Sequence, residues 1–134
     1  MEVVVLFRHV AKRWSQSLWV VQAVLALAFI AAGSMKVFAY EKYKAMSEKN
    51  GPMDLKRGLV TFIGLSELAG AIGIILPMAA NVAPWLSPIA ALGLAIVMLL
   101  AVLYHLRRHE PPAVPAVLLL LALFVTVGRF SHWG

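Results

Sequence analysis

Three residues of this chain combine reactive side chains with apolar surroundings: Lys36, Glu67 and His105. Lys36 lies near the end of an apolar run that starts at Leu18, and Glu67 sits nearly halfway along a second run from Leu59 to Ala80. An ionised side chain at mid-membrane costs several kcal/mol by insertion scales. Glu67 must therefore be paired, protonated or turned toward a polar cavity. With the two runs as antiparallel neighbours, Lys36 is about one helical turn inside its boundary and Glu67 about two and a half turns inside. A Lys side chain covers much of that difference, so the chemistry on offer is an internal ion pair able to exchange a proton.

The residues around each charge support pairing. Gly64, Glu67, Gly70 and Gly73 recur every three positions, with Ala71 four after Glu67, a ridge of small residues that lets another helix approach closely. Gly33 belongs to the same set of packing positions, and Ala28, Ala32 and Lys36 follow at spacing four. Two small faces, each with one charge, are expected to pack together. The plainer alternative has Lys36 snorkelling to the interface and a neutral Glu67 bonded to a neighbouring helix.

The pattern Met98, Ala101, His105 places His105, alone of His9, His105, His109 and His132, on a helix face with a small residue. His105 is expected to dip inward toward Lys36 and Glu67. His105 and His109 have the spacing of two metal ligands on one helical face, yet they straddle Arg107 and Arg108 beside Glu110. The pattern reads as a basic helix cap, and no metal is expected. Arg129 ends the last apolar run and is expected to snorkel to the far surface, where a lipid head group is its candidate contact. Trp14, Trp19, Trp85, Trp133, Tyr40, Tyr43 and Tyr104 fall at the ends of the runs, as an aromatic belt does. No P-loop, GxGxxG, HExxH or GxSxG is present, so no catalytic residue is assigned.

The elements that must position these residues follow from composition. Of 134 residues, 62% are hydrophobic and 13% charged, with a mean hydropathy of +0.86; soluble domains are roughly half apolar and about a quarter charged. A spanning helix takes ~20 apolar residues. Four such runs are found, at about 18–37, 59–80, 86–104 and 113–130. The fold expected is all-α: one polytopic membrane domain over 1–134, an antiparallel bundle of four transmembrane helices, because short connections force neighbours to alternate direction. Residues 1–17 carry Val3, Leu6, Phe7, Val10 and Trp14 at helical spacing, with Arg8, Lys12 and Arg13 pointing elsewhere. They read as an interfacial amphipathic helix and not as the leader of a cleaved signal.

The net charge of +6 indicates a membrane surface rather than nucleic acid, since Lys and Arg collect at cytoplasmic loops and head groups. The charged loops at 38–58 and 105–112 hold seven Lys and Arg against four on the side of the termini. The positive-inside rule places those loops in the cytoplasm and the termini outside. The absence of Cys removes thiol nucleophiles, thiolate metal sites and Cys-ligated clusters.

VQAVLALAFIAAGSMK in the first run, GLSELAGAIGIILP in the second, PIAALGLAIVMLLAVLYHLRRHE in the third and a final VGR together resemble the DoxX-like family of small bacterial four-helix membrane proteins. The resemblance runs from about Leu18 to Arg129 and carries over Gly33, Lys36, Gly64, Glu67, Gly70, His105 and Arg129. It implies a bacterial inner-membrane protein, named for a component associated with a quinol oxidase and a thiosulfate:quinone oxidoreductase. Three functions are weighed, the first of them on that basis. The first is a membrane subunit or scaffold of a quinone-linked redox or detoxification assembly, with a redox partner protein and with quinone at the Lys36, Glu67 and His105 cluster. The second is a stand-alone binder of lipid or a hydrophobic metabolite, a small transporter or a membrane enzyme. The third is a structural protein that forms homo-oligomers in the lipid bilayer.

Overall fold

The computed structural model describes residues 2–131, apart from the side chains of Ala11 and Asn50. His132 and Trp133 lie outside the described residues. Among the described residues five α-helices occur in chain order: α1 (Glu2–Phe38), α2 (Tyr40–Ser47), α3 (Arg57–Ala79), α4 (Leu86–Arg107) and α5 (Ala113–Ser131), with a 3-10 turn at Glu48–Asn50 after α2. Helices α1, α3, α4 and α5 are each long and apolar enough to cross a membrane. Helices α3, α4 and α5 agree with the expected spans to within a few residues, and the first expected span lies within α1.

Each long helix turns a seam of buried residues toward the others. On α1 these are Leu18, Gln22, Leu25, Ala26, Phe29 and Gly33; on α3, Val60, Gly64, Glu67, Ala71 and Ile74. The alternating steps of three and four keep one face of a helix on its neighbours, as in coiled-coil packing. Helix α3 packs against α1 and α4, α5 against α4, and α5 returns to α1 to close the bundle. Leu25, Phe29, Ile74, Leu94, Met98 and Val125 fill the centre. The outward side chains are equally apolar, with Leu27 70%, Phe62 66%, Leu100 61% and Leu120 66% exposed. A helix apolar all round belongs in lipid.

The turns follow from local chemistry. After α3, Asn81 takes a left-handed conformation with φ 52°; its N–H donates to the Met78 carbonyl and that of Val82 to the Pro77 carbonyl. After α4, His109 does the same at φ 59°, with His109 N–H bonded to Leu106 and Glu110 N–H to His105. Both are Schellman ends. Between α1 and α2 the chain breaks only at Ala39, whose φ of −132° leaves the helical region.

Two differences from the sequence reading concern α1 and the loop after it. The separate helix over residues 1–17 and the span from 18 are one continuous helix of 37 residues, about 55 Å long. Neither Gly nor Pro occurs between Glu2 and Ala32, and the inward seam continues through Ser15 and Trp19, so nothing interrupts it. Residues 2–10 are exposed and project beyond the bundle. Within the loop at 38–58, residues 40–50 are helical.

Candidate functional site

The ion pair is built by two glycines. A Cβ on Gly33 would stand 2.7 Å from the Gly64 carbonyl oxygen, and one on Gly64 would stand 2.9 Å from the Gly33 carbonyl oxygen and from Lys36 Cβ. The backbones of α1 and α3 therefore touch here. The helices run in opposite directions, so Lys36 lies nearer the end of the bundle while Glu67 lies about 4.5 Å deeper than Gly64. The Lys36 side chain passes over Gly64 and brings Nζ to 2.7 Å from Glu67 Oε1. Glu67 is 1% exposed and Lys36 is 15% exposed, so the pair opens only on its lysine side.

Helix α2 folds back against this end. Tyr40 is buried and Arg57 stacks over its ring at 4.7 Å. Tyr43 sets its ring 5.2 Å from Lys36 Nζ. Burial pushes the Tyr43 hydroxyl above its ordinary value, Tyr104, Glu67 and Glu110 add to the rise, and Arg108 opposes it.

Arg108 organises the rest of the loop end. Its Nη1 donates to the Pro52 carbonyl at 2.8 Å and to the Tyr104 hydroxyl at 3.1 Å. Its Nη2 donates to the carbonyls of Ser47 at 3.2 Å and Gly51 at 3.0 Å, and its Nε donates to Glu110. One planar fork thus joins the end of α4 to the loop after α2. Arg107 reaches Asp54 of the same loop at 2.9 Å. Glu110 also meets His105 Nδ1 at 3.1 Å. Burial pushes the Glu110 carboxyl up, but the hydrogen bonds and charges of Arg108 and His105 outweigh it and hold the group below its ordinary 4.5.

Of the expected cluster, the structure brings Lys36 and Glu67 into contact. His105 is turned instead to Glu110, because the left-handed His109 folds Glu110 back over the last turn of α4. Tyr43 stands between the two groups of charges. Gly70 faces Leu94 and Gly73 faces Ala90, so all four packing glycines serve contacts within the chain.

At the other end of the bundle Arg129 does not reach outward. It is 6% exposed, and its Nε donates to Gln22 Oε1 at 2.6 Å. Gln22, fully buried, donates in turn to the Ile74 carbonyl at 2.6 Å. Pro77 lies in this last part of α3, where it removes the amide that would bond Gly73. The chain Arg129, Gln22, Ile74 ties α5 to α1 and α3, and Trp14 packs edge-on against Phe124 at 5.2 Å beside it. Gln22 has no role in the sequence reading, and Tyr43 and Arg108 enter it only as an aromatic-belt residue and part of a basic helix cap. A signal existed for Gln22, a polar residue on the seam that continues through Leu25, Phe29 and Lys36.

Neither a curated protein nor a solved structure matches the chain. The model of the DoxX-like family matches residues 20–127, a stretch that contains the Gly33 and Gly64 crossing, the Lys36 and Glu67 pair and the Arg108 junction, and this integral membrane protein belongs to the DoxX-like family.

Proposed function

We propose that the protein is the membrane component of a quinone-linked redox or detoxification assembly, and that Lys36 and Glu67 meet the polar head of a lipid-soluble quinone. The observation that carries this reading is a fully buried carboxylate held at 2.7 Å by a lysine that remains partly open. A quinone carbonyl accepts hydrogen bonds, which Lys36 and the Tyr43 hydroxyl donate, and its reduced form carries protons that such a pair exchanges. The isoprenoid tail stays in the bilayer. A recess of about 210 Å³ opens at this end on α4, between Leu100, Leu103, Tyr104 and Arg107, smaller than the ~300 Å³ of an enclosing ligand pocket and lined by none of Lys36, Glu67 and Tyr43. The same recess favours a second reading, a stand-alone binder of lipid or a hydrophobic metabolite. By the excess of Lys and Arg, the loop end faces the cytoplasm, where a redox partner would dock.

The test is binding of a short-chain quinone to the purified protein in mild detergent, measured by isothermal titration calorimetry. The wild type saturates, and Glu67→Gln and Lys36→Gln each weaken binding about tenfold, the worth of one charge-assisted hydrogen bond. Saturation unchanged by either substitution, or none in the wild type, overturns the reading. A different apolar molecule recovered by extraction and mass spectrometry selects the second one.

A further inference from the structure

Arg129 is a buried cation to which the described residues offer no anion. Its partners are Gln22 Oε1, Ser15 Oγ at 3.2 Å, the Ser15 carbonyl at 3.5 Å and the Trp19 ring at 5.4 Å, all neutral. Five of the six acidic residues lie in the loop-end half, and the sixth, Glu2, stands thirteen residues before Ser15 on α1, about 20 Å along the helix. A buried charge is retained where something compensates it.

The guanidinium has five N–H donors. One is spent on Gln22 and one on Ser15 Oγ, and the contact with the Ser15 carbonyl is long. That leaves a hydrogen on each terminal nitrogen, the fork that matches two oxygens of one phosphate. Gln22, fixed from behind by the Ile74 carbonyl, sets the orientation of the fork. Trp19 closes one face. Ser15 accepts from Arg129 through Oγ and so keeps its own proton to donate. Ser15 and Trp19 are both partly exposed, so the site has a mouth. Arg8 and Lys12 precede Ser15 by seven and three residues on the same face of α1, and the field at the mouth is positive.

We propose that Arg129, Ser15 and Trp19 form a binding site for a phosphate anion, independent of the quinone reading and at the opposite end of the bundle. In the membrane the phosphate of an anionic lipid head group supplies this chemistry; a free phosphate is the other source. The side-chain hydroxyl and the guanidinium fork bind the non-bridging oxygens, while residues 2–10 of α1 project from the bundle beyond the site.

Native mass spectrometry of the full chain in detergent, with phosphatidylglycerol and phosphatidylcholine in competition, tests this. The wild type retains one phosphatidylglycerol in about tenfold preference, the value of a charge-assisted contact. Arg129→Gln abolishes the preference with helicity retained. Should that variant fail to fold, Ser15→Ala keeps the bond to Gln22 and still lowers the preference several-fold. Inorganic phosphate bound in an Arg129-dependent way, without any lipid preference, keeps the anion site and assigns it to free phosphate. The proposal is overturned if neither anion binds, if binding survives both substitutions, or if it follows Arg8 and Lys12 and not Arg129.

Discussion

The two ends of the bundle solve the same problem in opposite ways. At the loop end, Lys36 meets Glu67, Arg57 meets Glu41, Arg107 meets Asp54, and Arg108 and His105 share Glu110. At the other end the buried cation, Arg129, is met by an amide, a hydroxyl and an indole. Charge neutralised by charge fixes geometry but leaves a partner stranded when one member is lost. Charge met by neutral dipoles strands nothing ionic, and it leaves net positive charge to be answered from outside the chain.

The largest expected effect tests this directly. Lys36→Met leaves Glu67 without its counter-ion, and breaking a buried pair in this way costs about 3–5 kcal/mol. Arg129→Met leaves the buried Gln22 Oε1 without its donor, about 1–3 kcal/mol, and takes a donor from the partly exposed Ser15. Unfolding of the detergent-solubilised protein by heat or denaturant should rank the two in that order. The double variant Lys36→Met, Glu67→Leu should regain most of the first loss. Equal losses from the single substitutions would break the distinction between the ends.

A smaller effect separates them by packing. Gly33→Ala drives a methyl into the Gly64 carbonyl, part of a helix backbone that moves only if the whole crossing opens, and overpacking of this kind costs about 1–3 kcal/mol. Gly128→Ala meets Leu18 Cδ2 at 2.6 Å, the far end of a side chain that rotates. There the gain in helix propensity, about 1 kcal/mol, offsets much of the crowding. Gly33→Ala should also move Lys36 away from Glu67, so the same variant should weaken the quinone binding proposed above, whereas Gly128→Ala should leave it in place.

The sequence shows one end better than the other for the same physical reason. Formal charges in an apolar run are conspicuous, and glycines at spacing three mark the face they lie on, so Lys36, Glu67 and their crossing were legible together with the four spans. The inward turn of Arg129 depends on Gln22, one uncharged residue 107 positions away, and composition does not distinguish a bonded amide from an ordinary polar position. His105 was misdirected because its orientation is set by His109. A left-handed histidine closing a Schellman end has no signature comparable to the usual glycine. The hub role of Arg108 rests on carbonyls of Ser47, Gly51 and Pro52, and every residue carries a carbonyl, so spacing alone does not reveal which will be used.

The smallest expected effect is a dependence on acid that belongs to the loop end alone. Glu110 is 10% exposed, and in the fold its carboxyl ionises below its ordinary 4.5. Its stabilising contribution is therefore complete above that pH and is lost as the pH falls through the folded value, where the protonated group no longer answers Arg108 and His105. Tyr43, from α2, also feels this carboxylate, and burial has already raised its own ionisation to the alkaline side, so it stays neutral throughout the acid window. Protonation of Glu110 loosens the Arg108 fork but leaves its bonds to Ser47, Gly51 and Pro52, which is why the effect is local. Amide hydrogen exchange over residues 47–54 should quicken as the pH is lowered below 4.5, after correction for the intrinsic rate, and Glu110→Gln should show the quickened exchange at every pH. The segment around Ser15, Trp19 and Arg129 has no described carboxylate to titrate and should keep its protection across the same window. If both ends loosened together, the acid response would be a property of the whole bundle and not of a carboxylate that only one end possesses.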